Sequence, residues 1–261
     1  MDLGIARKGA LVLAATRGLG RAIAEALADE GAHVLLAGRS ADALAEVAAA
    51  IRAAGGTVHT VICDLADPGA PETLAAAVPD TIGQVDILVL NSGGPPPGRM
   101  IDADLAVMKT QWEVMALRLI EIAHRFAPAM ATRGWGRILT VGSSGVVQPI
   151  PNLGLSNAIR GTLAGWSKSL SNDLAGQGVT VNMILPGRIH TTRVDQIDEA
   201  AASRTGKSLE EIRAAAKAQI PAGRYGTPAE FAATAAFLCS APAAFITGSQ
   251  IRVDGGQIKG L

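Results

Sequence analysis

Residues 9–40, GALVLAATRGLGRAIAEALADEGAHVLLAGRS, decide the fold. Ala10-Leu11-Val12-Leu13 is an uninterrupted apolar run, the pattern of a strand covered on both faces. Ala14–Gly20 is a turn that carries small residues and two glycines. Arg21–Glu30 then carries Ile23, Ala24, Leu27 and Ala28 at helical spacing. Gly31 stops that helix, and Ala32–Ala37 is the next apolar strand. The whole is a βαβ crossover, long enough to join parallel strands. Small residues at such a turn let a diphosphate approach the main chain. The helix N-terminus behind them aims free N–H groups at it.

Alternation continues to the end. Ser40 is placed to cap a helix running through Ala54 with Leu44, Val47, Ala48 and Ile51 inward. Strands are expected at Thr57–Cys63, Val85–Leu90, Arg137–Val141, Val179–Leu185 and Gln250–Val253. Helices are expected within Ala70–Val78, over about Asp104–Thr132 and Leu155–Ala175, and from Thr227-Pro228-Ala229-Glu230, a capping box with proline at its first helical position. Residues 188–221 read as irregular or short-helical. The expected architecture is α/β: one domain over residues 1–261, a doubly wound parallel sheet of about seven strands with helices on both faces.

Composition narrows the function. The 23 basic and 23 acidic residues cancel, and no basic stripe marks a nucleic-acid binder. Cys63 and Cys239 lie in apolar segments and read as buried reduced thiols, with no metal spacing. Arg7 and Lys8 precede an apolar run, but the glycine turn and helix that follow account for it better than a signal peptide does. No stretch is long and apolar enough for a membrane span. The expectation is a cytoplasmic protein with a small-molecule substrate and no metal.

The polar residues after successive strands fall in one order: Leu13–Gly20, Asp64, Asn91-Ser92-Gly93, Gly142-Ser143-Ser144 and Pro186-Gly187. All occupy carboxyl ends of expected strands, where open α/β sheets bind ligands. With the tail Gly223–Glu230, Ile246-Thr247-Gly248 and Val253-Asp254-Gly255-Gly256, the chain resembles the short-chain dehydrogenase/reductase family from about Gly9 to Gly256. It is nearest the bacterial β-ketoacyl carrier-protein reductase branch. The resemblance implies a Rossmann-like fold, oxidation or reduction of a carbonyl/alcohol pair, and a homotetramer built on the helices at 104–132 and 155–175. It also implies that residues 188–221 cover the substrate.

At the cofactor end the resemblance assigns the turn Ala15, Thr16, Arg17, Gly18, Leu19 and Gly20. Leu13 and Ala14 stand where the family has Thr-Gly, and alanine costs wherever a positive φ is needed. Asp64 and Leu65 match adenine contacts, though Asp64 can equally cap its own turn. Asn91 and Gly93 match two positions of the family's Asn-Asn-Ala-Gly. Pro95-Pro96-Pro97 either stiffen a nicotinamide wall or make a rigid surface loop. Pro186, Gly187, Ile189 and Thr191 match the carboxamide-holding segment. NAD users of the family carry an acid after the second strand; here Gly38 and Arg39 follow it, and Arg17 precedes Gly18. Two guanidinium groups without a carboxylate favour NADP(H), the competing reading being solvated surface arginines.

The catalytic end departs from the pattern. The family uses Asn, Ser, Tyr and Lys. Counting on from Ser143 puts Ser156 at the tyrosine position and Arg160 at the lysine position, while the asparagine position falls near Met115. Gly165–Leu170 fixes that register, and the only tyrosine, Tyr225, lies far along the chain. A serine hydroxyl is a far weaker acid than a phenol, which titrates near ~10. An arginine stays charged and shuttles no proton, yet it holds ribose hydroxyls, carboxylates or oxyanions. Ser143, Ser156 and Arg160 therefore make an anion-stabilising site, with His190 a candidate acid and Ser144 a structural hydroxyl or a further donor. Two functions stay open: an atypical NADP(H)-dependent oxidoreductase, and a catalytically silent NADP(H)-binding sensor or oligomer partner.

Overall fold

The computed structural model describes residues 1–260. Seven strands form one sheet: β1 (Gly9–Val12), β2 (His33–Gly38), β3 (Thr57–Ile62), β4 (Ile87–Leu90), β5 (Gly136–Val141), β6 (Val179–Pro186) and β7 (Gln250–Val253). Their order is β3-β2-β1-β4-β5-β6-β7 and every pairing is parallel. The chain winds outward from β1 through β2 to β3, then returns to lay β4 on the other side of β1. That reversal opens a crevice at the carboxyl ends of β1 and β4.

Alternate residues of each strand serve opposite faces. Ala10 and Val12 join Val34, Leu36 and Val89 under α1 (Gly18–Asp29), α2 (Ala41–Ala53) and α9 (Pro228–Leu238). Leu11 joins Leu35, Leu88 and Leu90 on the other face, under α3 (Ala70–Ala77), α5 (Arg118–Thr132) and α6 (Gly154–Leu174). The central strands are apolar throughout because neither face meets water. Ser40 caps α2 by accepting from the Ala43 N–H at 3.3 Å.

Two expected elements differ from the structure. The helix over 104–132 is unbroken but not α-helical throughout: α4 (Leu105–Trp112) passes through a π-helical turn, Glu113–Leu117, before α5. The wider ring of a π-turn inserts a residue and turns Met115 fully into the core. Residues 188–221 are more regular than their mixed polarity suggests, holding α7 (Thr192–Thr205) and α8 (Leu209–Ala218). A capping box at Ser208 and Glu211 starts α8.

Ala14, between β1 and α1, sits at φ +48°. Its Cβ is strained there, a cost glycine avoids. Ala14→Gly should raise the unfolding free energy by about 0.5–1 kcal/mol, the relief exceeding the extra chain entropy of glycine; a denaturant midpoint measures it. The capping box of α9 has a pH signature. Glu230 receives Arg224 through both oxygens, at 2.6 and 2.9 Å, and the Thr227 N–H at 2.8 Å. Arg224 first, then Thr227, holds its carboxyl at about 2, below the usual 4.5. A depressed acid stabilises the fold above its unfolded value and loses that as pH falls through the folded one. The stability lead of the parent over Glu230→Gln should therefore be full above pH 4.5 and shrink from there toward about 2, and should shrink with added salt. A lead independent of pH would contradict it.

Candidate functional site

A cleft of about 1620 Å³ runs along the carboxyl edge of the sheet. Its seam is made by Asn91, at the end of β4. The Asn91 amide donates to the Leu13 and Ala14 carbonyls, both at 3.3 Å, and so ties β4 to the turn after β1. Gly20 leaves the space for this: a Cβ there would lie 2.7 Å from the Asn91 Nδ2 and 2.4 Å from the Ala14 oxygen. Gly18 supplies the other constraint, with φ +56°.

The turn ends in a helix start with no lid. Arg17 is the N-cap of α1 and makes no side-chain capping bond, and the first turn carries no acid. The first N–H groups of α1 are thus free of side-chain partners, the arrangement that receives a diphosphate. Thr16, Arg17, Gly18 and Leu19 line the cleft, as do Arg39, Asp64 and Leu65. Arg17 and Arg39 are exposed and form no ion pair within the described residues. Gly38 keeps the ribose end open: a Cβ would lie 2.7 Å from the Thr16 methyl. Asp64 accepts from the Ala66 N–H at 3.0 Å, a turn-closing bond, so the capping reading of this residue is realised whatever else it does.

Two residues assigned to the cofactor do not line the cleft. Ala15 is fully buried in the core and its N–H donates to the Ala37 carbonyl at 3.0 Å. Gly20 acts by the room it leaves for Asn91. Asn91, Gly93, Pro186, Gly187, Ile189 and Thr191 all border the cleft. Thr191 approaches the glycine turn, its methyl 3.7 Å from where a Gly18 Cβ would be.

Ser143, Ser156 and Arg160 come together at the far end, with Met115 beside them. Ser143 caps a single 3-10 turn, Ser144–Val146, by accepting from the Gly145 N–H at 3.1 Å. The bond uses one lone pair and leaves the O–H free to donate. Ser156 stands at the start of α6, and Arg160 follows one helical turn later on the same face. Arg160 is only 6% exposed. Its Nη1 donates to the Val141 carbonyl at 2.7 Å, and its Nη2 to Ser92 Oγ at 3.3 Å and the Gly93 carbonyl at 3.5 Å. Burial draws its pKa down to about 10, leaving it cationic at neutral pH. The guanidinium thus fastens the ends of β4 and β5 together and places a positive charge under the cleft.

The candidate acid His190 does not belong here, and Tyr225 stays apart as its place in the chain implies. His190 is exposed, 3.5 Å from Asp195, and does not border the cleft. Tyr225 donates to Asp198 at 2.8 Å, and burial with that bond raises its pKa. Cys63 and Cys239 are free and buried, their thiols pushed up to about 11 and 12 by burial. Sequence reasoning missed Asn157, which fixes the loop over the catalytic end through two bonds to Ile150, at 3.0 and 3.2 Å. No local pattern announces it, because the loop reaches it only after α6 packs.

A family model described as enoyl-(acyl carrier protein) reductase matches residues 13–257. Among curated proteins, dehydrogenase/reductase SDR family member 4 of Sus scrofa is 35% identical over 257 residues, covering 97% of this chain and 88% of its own. The 3-oxoacyl-[acyl-carrier-protein] reductase FabG of Escherichia coli K12 is 34% identical over 259 residues, with 96% and 97% covered. L-sorbose reductase from Gluconobacter frateurii, solved with NADPH and L-sorbose, superposes with a TM-score of 0.93 at 31% identity over the full length of both chains. With this sheet order and cleft, the chain belongs to the short-chain dehydrogenase/reductase family of oxidoreductases.

Proposed function

We propose that this protein is an NADP(H)-dependent reductase or dehydrogenase of a carbonyl/alcohol pair, resembling 3-oxoacyl reductases and working with an altered proton-transfer site. The observation that carries the reading is one cleft with a cation-rich ribose end and a hydroxyl-rich catalytic end. Arg17 and Arg39 form no ion pair with a carboxylate of the described residues and pair with a 2′-phosphate. The open N-terminus of α1 fits a diphosphate. The NADPH bound by L-sorbose reductase supports the same cofactor.

When bound, NADPH supplies the hydride. The chain's own groups handle the oxygen. Ser143, its lone pair taken by Gly145, donates its O–H to the substrate carbonyl. Ser156 offers a second hydroxyl where the family's pattern has a phenol. Arg160, held by Val141 and Ser92, supplies fixed positive potential as charge grows on that oxygen. It transfers no proton, so water delivers the proton that completes the alcohol. Space left by the shorter Ser156 admits that water. The exposed apolar side chains Leu105 and Trp112 on α4 and Leu117 in the π-turn support association of copies through this helix, in keeping with the homotetramer the resemblance implies. Two free thiols support a reducing, cytoplasmic setting. No described helix is long and apolar enough to cross a membrane.

The absence of a phenol in the cleft favours one competing reading, a protein that binds NADP(H) without turnover. Purified protein assayed with NADPH on a carbonyl panel, beside an NADPH titration, separates the two: tight binding with no turnover removes the enzyme reading. NADPH should bind more tightly than NADH, and Arg39→Asp should cut that preference by about tenfold or more, since one charge-assisted pair is lost and a repulsion gained. Equal dissociation constants in the parent would remove the argument. Ser156→Tyr combined with Arg160→Lys should raise reduction of simple ketones by about 10²-fold, the usual worth of a positioned general acid. A folded, NADPH-binding double variant without any gain would show that proton supply is not what limits this site.

A further inference from the structure

The chain as a whole is neutral, with 23 basic and 23 acidic residues, but the cleft is not. Among the described residues, Asp64 is the one carboxylate along its wall, at the cofactor end. The other end presents Arg160, Arg193, Arg204 and Lys259. In the sequence, residues 188–221 mix both signs and select no charge class. The structure sorts them. Asp195 turns to Arg213 at 2.6 Å, and Asp198 is buried against Arg188 and Tyr225. Neither of these acids borders the cleft, nor does the exposed Glu199.

Two of these cations grip one loop from opposite sides. Arg160 reaches Ser92 and Gly93 from α6 at 3.3 and 3.5 Å. Arg193 comes from the start of α7, donates to the Pro95 carbonyl at 2.8 Å, and lies 3.1 Å from where a Gly94 Cβ would be. Neither guanidinium forms an ion pair with a carboxylate of the described chain, although Arg160 is buried and Arg193 half-buried. Carbonyl oxygens orient toward such charges without neutralising them. A buried cation lacking a counter-charge is costly, and an arriving anion recovers that cost. Arg17 and Arg39 stand at the ends of β1 and β2, so a ribose 2′-phosphate held there leaves this pair unmatched.

We infer that the substrate carries an anionic group, a carboxylate or a phosphate, seated against Arg193 beside the Gly94–Pro95 stretch while its carbonyl faces Ser143 and Ser156 above the Arg160 charge. This rests on the reductase reading and adds to it a substrate class. The planar, forked guanidinium suits either anion. None of the three prolines borders the cleft, and Pro96 and Pro97 are exposed, so the run is a rigid surface loop, with the buried Pro95 presenting its carbonyl to Arg193.

Matched compounds test it on the NADPH-loaded protein: acetoacetate against methyl acetoacetate, and dihydroxyacetone phosphate against dihydroxyacetone. Binding is measured by calorimetry and turnover by NADPH absorbance. The charged member of at least one pair should be favoured about tenfold or more, and that pair names the anion. Arg193→Gln should abolish the preference through KM while NADPH affinity moves less than about twofold, because the lost contact belongs to the substrate. Equal or better binding of both neutral members overturns the inference. So does an Arg193→Gln variant whose NADPH affinity falls about tenfold, which assigns that guanidinium to the cofactor. Charge-selective binding with no turnover of any compound keeps the inference and removes the reductase reading, so the two fail separately.

Discussion

The amide of Asn91 spans the seam where the sheet changes its winding direction, and the cleft depends on that seam. Parallel strands β1 and β4 are adjacent in space but far apart in sequence. Their carboxyl ends must be held in register without a shared loop. Hydrogen bonds from one side chain to the Leu13 and Ala14 carbonyls do this. The same bonds satisfy carbonyls that leave the strand ladder as the turn begins. Gly20 and Ala14 follow from this constraint: one vacates the volume the amide fills, the other accepts a backbone angle better suited to glycine.

A second tie repeats the device one strand further on. Arg160 binds the ends of β4 and β5 as Asn91 binds those of β1 and β4. A neutral side chain of similar length could make some of these bonds without the desolvation cost of a charge. The retained charge therefore has a consequence beyond architecture: the floor of the cleft is positive wherever the substrate oxygen settles. Arg137 offers a contrast within the same sheet. It too is buried and surrounded by carbonyls, those of Gly136 and Ser240 among them, but it lies at the start of β5, away from the cleft, and stacks on Trp135.

What was legible in the sequence was what is local. The βαβ unit, the capping box at Thr227 and Glu230, and the polar residues at strand ends rest on spacing within a few residues, and the fold follows their order. The site residues divide by the same criterion. Ser143, Ser156 and Arg160 share the cleft because a strand end and one helical turn bring them there. Ala15 lies in the turn, but its N–H bonds the Ala37 carbonyl and its side chain packs into the core, away from the cleft. The π-turn around Met115 has no local signature, since Glu113–Leu117 is ordinary helical sequence and only packing forces the wider ring. The sorting of Asp195 and Asp198 away from Arg193 was equally hidden, because helical phase alone does not say which face of α7 meets α8 and which meets the cleft.

On the reading proposed above, arginine and serine where the family's pattern has lysine and tyrosine make the site a different kind of catalyst. A phenol beside an ammonium is a proton donor whose acidity is tuned by a neighbour. Ser156 beside Arg160 has no such group to tune, because neither gives up a proton near neutral pH. What remains is stabilisation by fixed charge and fixed dipoles, which lowers the cost of an oxyanion without resolving where its proton comes from. Such a site is best matched to a substrate whose own anionic group is drawn in by the same charges, since binding strength then positions the carbonyl. The positive floor, the free hydroxyl of Ser143 and the cation at the start of α7 are consistent with one another on that account, and each contributes through position rather than through titration.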